Sequence, residues 1–119
     1  MNYQLIYTNL IRRAQTQVYN DYYEIHHIIP TSIGGEDTVE NKCRLSVREH
    51  LFAHKLLYQI YRDAHPNLIF AIWAFYSDRN PNRKFLRRRR PWVAKWIYRR
   101  ITTICNQNRI AKNRKKFKS

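Results

Sequence analysis

The sequence predicts an α+β fold that is mostly helical, with one short β-hairpin set among the helices. Three observations lead there. The two glycines of the chain, Gly34 and Gly35, sit together in a polar stretch between two β-rich runs, "YYEIHHII" and "KCRLS". That is the pattern of two strands joined by a loop, with the glycines permitting positive φ. The second run leads straight into "SVREHLFAHKLLYQIYR", where Ser46 and Glu49 supply the S-x-x-E pair of a capping box. Elsewhere apolar residues recur at helical spacing.

Taken in order, "NYQLIYTNLIRRAQTQ" places Leu5, Ile6, Tyr7, Leu10, Ile11 and Ala14 near one side of a first helix. The hairpin follows, with "PTSIGGEDTVEN" as its loop. The capped helix starts at Ser46 and spans 46–62, with Leu56, Leu57, Ile60 and Tyr61 continuing its apolar face. His65-Pro66 marks a break and a new helix start, the better reading of His65. "NLIFAIWAFY" predicts a third helix, apolar on most sides and therefore core. "SDRNPNRKFLRRRRP" reads as a basic loop. The final helix, "PWVAKWIYRRITTICNQNRIAKNR", turns Trp92, Val93, Trp96, Ile97, Ile101, Ile104 and Cys105 to one side and Lys95, Arg99 and Arg100 to the other, and "KKFKS" is expected to fray. Trp73, Trp92 and Trp96 read as core or docking residues in preference to base-stacking platforms. No internal repeat is visible.

At 119 residues the chain is long enough for one modest core. Hydrophobic content of 44% and aromatic content of 14% suit a folded protein and argue against disorder. Cys43 and Cys105 form no CxxC pair, which leaves neither a disulfide framework nor a four-cysteine zinc site. The longest apolar run, Leu68 to Tyr76, is too short to span a bilayer. A soluble, cytoplasmic setting without a membrane partner is the expectation.

Charge divides the chain. Net charge is +15, yet residues 1–78 hold all eight acids against seven Lys/Arg, while residues 79–119 hold sixteen Lys/Arg and no acid. The reading is a domain over 1–78 and a basic helical arm over 79–119 packed on it. A one-signed field of that density attracts polyanions, nucleic acid first, because each neutralised phosphate releases counterions. The alternatives are a solvated tail of the ribosome-associated kind and a membrane-surface helix.

The chemistry concentrates in histidine. Of five, four lie within 29 residues: His26, His27, His50 and His54. His50 and His54 are four apart on the capped helix, so they share a face and can grip one metal ion. "HLFAH" lacks the Glu of the zinc-protease HExxH helix, and a bare HxxxH is as readily a pair of half-buried histidines. The hairpin changes that balance. Adjacent strand residues face opposite ways, so one of His26 or His27 can complete a three-histidine site with an open position while the other stays free to take a proton.

The stretch "YEIHHIIPTSIGG…EN…LSVREHLFAH" resembles the HNH endonucleases, the ββα-metal nucleases, and within them the small phage-encoded, homing-type proteins that carry "HHIIP", a Gly-Gly loop, an Asn and "EHxxAH". The likeness covers roughly residues 22–62, and the opening helix is similar to the lead-in helix of that phage group. It implies a ββα-metal hairpin-plus-helix core. By position, His26, His50 and His54 match the metal ligands and His27 the general base. Asn41 matches the central Asn that braces the loop and helps orient the base. Other branches use an Asp in place of His26 and let that Asn bind metal, so a ligand role for Asn41 is the alternative.

The resemblance implies hydrolysis of a phosphodiester in DNA, duplex for preference with RNA not excluded, by nicking or homing-type cleavage. His27 would deprotonate a water for in-line attack, and one divalent metal would polarise a phosphate oxygen and stabilise the leaving 3′ oxygen. Three imidazoles favour zinc or nickel on affinity, while magnesium or manganese are the plentiful alternatives. Arg44 and Arg48 flank the site and are candidates for a phosphate clamp, with plain surface charge the competing reading. Arg87, Arg88, Arg89, Arg90, Lys95, Arg99 and Arg100 are candidates for tracking the backbone. The rival function is a non-catalytic, zinc-stabilised nucleic-acid-binding module. A closed structural zinc site normally has four protein ligands, and three ligands plus a spare histidine favour the enzyme.

Overall fold

A computed structural model describes residues 1–117, apart from the side chains at 91, 92, 94, 111 and 113–117. Five α-helices and two strands follow one another as α1 (Tyr3–Thr16), β1 (Glu24–His27), β2 (Lys42–Leu45), α2 (Val47–Tyr61), α3 (Ile69–Ser77), α4 (Lys84–Arg87) and α5 (Arg90–Phe117). The fold is α+β and mostly helical, with one two-stranded antiparallel sheet.

α2 is the central element because both its sides are apolar. One side, with Val47, Leu51 and Tyr58, packs with Ile69, Ile72, Phe75 and Tyr76 of α3, Leu86 of α4, and Ile97 and Ile104 of α5. The other, with Ala53, Leu56 and Leu57, packs with Tyr7, Leu10, Ile11 and Ala14 of α1 and with Cys43 and Leu45 of β2. Ala53, fully buried, offers only a methyl group, which lets a neighbour come close. The capping box fixes the start of α2. Ser46 Oγ accepts from the Glu49 amide, and Glu49 Oε1 accepts from the Ser46 amide at 3.0 Å. Such a cap contributes about 1 kcal/mol, and here it also sets the rotation of the helix that carries His50 and His54.

The hairpin register pairs Glu24 with Leu45, Ile25 with Arg44, His26 with Cys43 and His27 with Lys42. Glu24, His26, Cys43 and Leu45 are buried, whereas Ile25 and Arg44 are exposed. The two glycines of the loop serve different ends. Gly34 takes φ 105°, open to glycine at little cost. Gly35 does not use positive φ; a Cβ there would lie 1.8 Å from the Ile29 carbonyl oxygen, so only glycine allows that approach.

Several expectations change. Leu5 is more than half exposed, because the buried stripe of α1 runs through Tyr7, Leu10, Ile11 and Ala14 instead. The stretch read as a basic loop contains a 3₁₀ turn at Pro81–Arg83 and then α4, and it buries Leu86 in the core. Cys105 and Trp96 are exposed, although Trp96 meets the buried Tyr58 edge to face at 6.3 Å. α5 begins at Arg90 and runs through Phe117, so the "KKFKS" stretch is helical as far as Phe117, with its last two residues outside the described ones, as is the side chain of Trp92. Pro66–Leu68 is a 3₁₀ turn, and α3 starts after it.

Candidate metal centre

β1 lies over the first turns of α2, and that placement brings His26 together with His50 and His54. One ring nitrogen of each lies within 4.8 Å of the others. The ring centroids stand 4.8 to 5.1 Å apart. The Nε2 atoms of His50 and His54 are 3.2 Å apart. Two nitrogens each 2.0–2.1 Å from a tetrahedral zinc-sized ion would be roughly 3.3 Å apart, so the helix pair already has a ligand's bite.

The hydrogen bonds decide which nitrogen is free in two of the rings, His26 and His50. Tyr7 donates its one hydroxyl proton to the Ile28 carbonyl at 2.6 Å. It must therefore accept from His26 Nε2, 2.8 Å away, which puts the proton on Nε2 and a lone pair on Nδ1. His26 is 1% exposed, and Nδ1 is the one buried side-chain nitrogen or oxygen without a hydrogen-bond partner among the described residues. A buried polar atom left unpaired is costly, and a cation would satisfy it. His50 Nδ1 sits 2.8 Å from Glu24 Oε1. That carboxylate makes Nδ1 the donor and leaves the Nε2 lone pair facing His54.

Burial keeps the rings neutral, the form that binds metal. Burial first, then the neighbouring histidines, lowers the His26 pKa to about 2. Burial, with His50 next, lowers His54 to about 3. Burial also lowers His50, outweighing the opposing pull of Glu24. For Glu24, burial pushes the pKa up, but hydrogen bonds from Arg83, His50 and Tyr22 prevail and hold it at about 2. Phe75 of α3 covers the cluster from below, its ring 4.9 Å from that of His50 and 5.6 Å from that of His54.

His27, on the other side of the strand, is partly exposed, and its Nε2 lies 3.0 Å from Asp37 Oδ1. Lys42 Nζ reaches the same oxygen at 2.8 Å. Asn41 stays out of the cluster. Its Oδ1 accepts from the Ile29 amide at 2.8 Å, and its Nδ2 donates to the carbonyls of Ile29 and Glu36. The side chain is spent on tying the end of β1 to the loop, which leaves the ligand alternative without support. Arg44 is exposed and lies across the Tyr23 ring, while Arg48 lies across Phe85. Arg88, Arg89, Arg90, Lys95, Arg99 and Arg100 are exposed, whereas Arg87 donates to the Asp78 carbonyl.

Sequence reasoning missed Tyr7, Glu24, Asp37 and Arg83. Glu24 carried a signal. It stands two residues before His26 and so shares its face, and a carboxylate on the buried face of a strand demands partners. Tyr7 and Arg83 reach the site from elements distant in the chain and had no local signature.

No protein-family model matches the chain, and no solved structure matches it. Curated relatives do. It is 44% identical over 82 residues to probable mobile endonuclease D of Enterobacteria phage T4, covering 65% of this chain and 31% of that protein. Probable mobile endonuclease E of the same phage is 52% identical over 62 residues, or 51% of this chain and 44% of the relative. Probable mobile endonuclease C is 43% identical over 65 residues, with 51% and 31% covered. Over those stretches the chain is homologous to phage proteins named as mobile endonucleases. It spans less than half the length of each.

Proposed function

We propose that the chain is a metal-dependent endonuclease of the HNH type, which hydrolyses phosphodiester bonds in nucleic acid with duplex DNA as its substrate. The convergence of three neutral imidazoles carries the reading, above all the buried, unpartnered Nδ1 of His26, whose ring clusters with those of His50 and His54. The names of the phage relatives support an endonuclease, and one of a mobile kind; the homing type is part of the proposal. Such a protein would act in the cytoplasm of a phage's bacterial host; no described helix is long and apolar enough to cross a membrane.

His26 through Nδ1, and His50 and His54 through Nε2, would hold one divalent cation. Three imidazoles suit zinc or nickel better than magnesium or manganese on affinity. What the cation supplies when held there is polarisation of a phosphate oxygen and stabilisation of the leaving 3′ oxygen.

The chain's own groups do the rest. Asp37 accepts from His27 Nε2–H and leaves Nδ1 to take the proton of the attacking water. Asn41 holds the loop carrying Asp37 against the end of β1, so the carboxylate and the base keep their spacing. The products are a 5′-phosphate and a 3′-hydroxyl. One such cluster among the described residues cuts one strand at a time. The exposed arginines of the 79–119 arm would draw in the duplex, with the exposed Arg44 and Arg48 as candidates for a phosphate clamp.

Supercoiled plasmid tests this. The purified chain should nick it with a divalent metal and stop with EDTA. His27→Ala should lower the rate by about 10²–10⁴-fold while metal binding persists. Plasmid left intact by a chain that binds zinc one to one would favour the non-catalytic module instead.

A further inference from the structure

We propose that Glu24 is a positioning residue for the metal centre and that Arg83, reaching in from the basic segment, holds it in place. The inference rests on the metal-site reading above. Glu24 is buried on the inward face of β1, where a lone carboxylate would be costly. Its oxygens are fully used. Oε1 accepts from His50 Nδ1 and from Arg83 Nη2, both at 2.8 Å. Oε2 accepts from Arg83 Nε at 2.9 Å and from the Tyr22 hydroxyl at 2.8 Å.

Arg83 is itself pinned. Its Nη1 donates to Asp78 Oδ2 at 2.6 Å, and its guanidinium lies 4.0 Å over the Phe75 ring. Asn80 closes the ring of contacts. Its amide donates to Asp78 Oδ1, and its Nδ2 donates to the Tyr22 hydroxyl at 3.1 Å. A two-pronged guanidinium–carboxylate contact fixes a plane as well as a distance, so the carboxylate cannot turn without breaking two of its bonds. Its remaining direction is His50 Nδ1. That bond sets the tautomer and tilt of the ring, and an anion at the far nitrogen raises the basicity of the ligating one.

The hairpin and α2 therefore do not complete the site alone. Arg83 stands 59 residues after Glu24 in the chain, and the ring of contacts makes metal affinity depend on how the 78–83 turn docks. α4 follows at once, and its Leu86 buries in the core and anchors the turn from its other side.

The test uses the full chain, stripped with a chelator and titrated with Co²⁺ by its visible absorption, then with Zn²⁺ by competition. The parent should take up one equivalent. Glu24→Gln should bind about 10–100-fold more weakly, with Arg83→Gln shifted the same way and circular dichroism showing both still helical. A merely structural ion pair would lower the thermal midpoint and leave the folded variant's affinity at the parental value, and that result would overturn the proposal. Should Glu24→Gln fail to fold, the double variant Glu24→Gln/Arg83→Met removes both charges of that pair and leaves only Asp78, partly exposed, without its cation; weakened binding supports the proposal, and parental affinity overturns it. A parent that binds neither ion removes the metal-site reading, and this inference with it.

Discussion

Around the three histidines, Glu24 meets Arg83, His50 and Tyr22, and Arg83 meets Asp78, all at 2.6 to 2.9 Å and largely out of solvent. Along the end of the 78–90 turn and α5, Arg88, Arg89, Arg90, Lys95, Arg99 and Arg100 stand exposed, and none forms an ion pair among the described residues. The first region answers every charge with a partner and so fixes direction. The second leaves charge unanswered and so projects a field, which salt damps over a Debye length of about 8–10 Å. Geometry for a reacting phosphate and attraction for a long polyanion need these opposite arrangements, and the chain keeps them apart.

The sharpest way to break that contrast is to remove a corner of the histidine triangle. His54→Ala leaves the Tyr7–His26 and Glu24–His50 bonds standing but takes away one ligand. Metal affinity should fall at least about 100-fold, more than removal of an outer partner typically costs, and plasmid nicking should drop to background. Competition titration with a chromophoric chelator measures it. Undiminished affinity would mean that the triangle is a packed cluster and that a metal, if bound, sits elsewhere.

The arm should respond in another quantity. Replacing Arg88, Arg89 and Arg90 together by Ser removes charge without touching a buried contact. If each meets one phosphate, the slope of log affinity against log salt should flatten by about 2.7, while the rate at saturating DNA stays the same. Fluorescence anisotropy across a salt series reads the slope. A parental slope would move the nucleic-acid surface off this turn, and a changed rate at saturation would erase the division between the two regions.

How much of this the sequence carried depends on how local each signal was. Ser46 and Glu49 marked the start of α2 to the residue, and four-residue spacing put His50 and His54 on one face. Strand parity separated His26 from His27 before any coordinates. α4 was invisible because four residues are about one helical turn, too few to display a period, and its four-arginine flank looks like solvated chain. Leu5 was misassigned because Leu5, Ile6 and Tyr7 are consecutive, and only packing against α2 selects which of them faces inward. The groups that orient the three clustered histidines lie 19 to 59 residues from their partners, and no pattern in one sequence records such pairings.

The smallest expected effect lies on the outer face, where the two regimes meet. Asp37 is ionised at neutral pH. The hydrogen bond from Lys42, and then that from His27, holds its pKa at about 2. Its side chain is nonetheless 73% exposed, so water screens whatever it does for His27. Asp37→Asn keeps an oxygen that can accept from His27 Nε2 and loses only the charge. The cleavage rate should fall by roughly 3–10-fold with metal affinity unchanged, far short of the ~10⁴-fold seen when a buried carboxylate behind a catalytic histidine is neutralised. Single-turnover nicking is the measurement. A loss near 10⁴-fold would mean that bound DNA covers Asp37 and turns this open contact into one of the enclosed kind. A rate equal to the parent's would leave Asp37 as Lys42's partner alone, with the pleat and the Asn41 brace sufficient to aim the base.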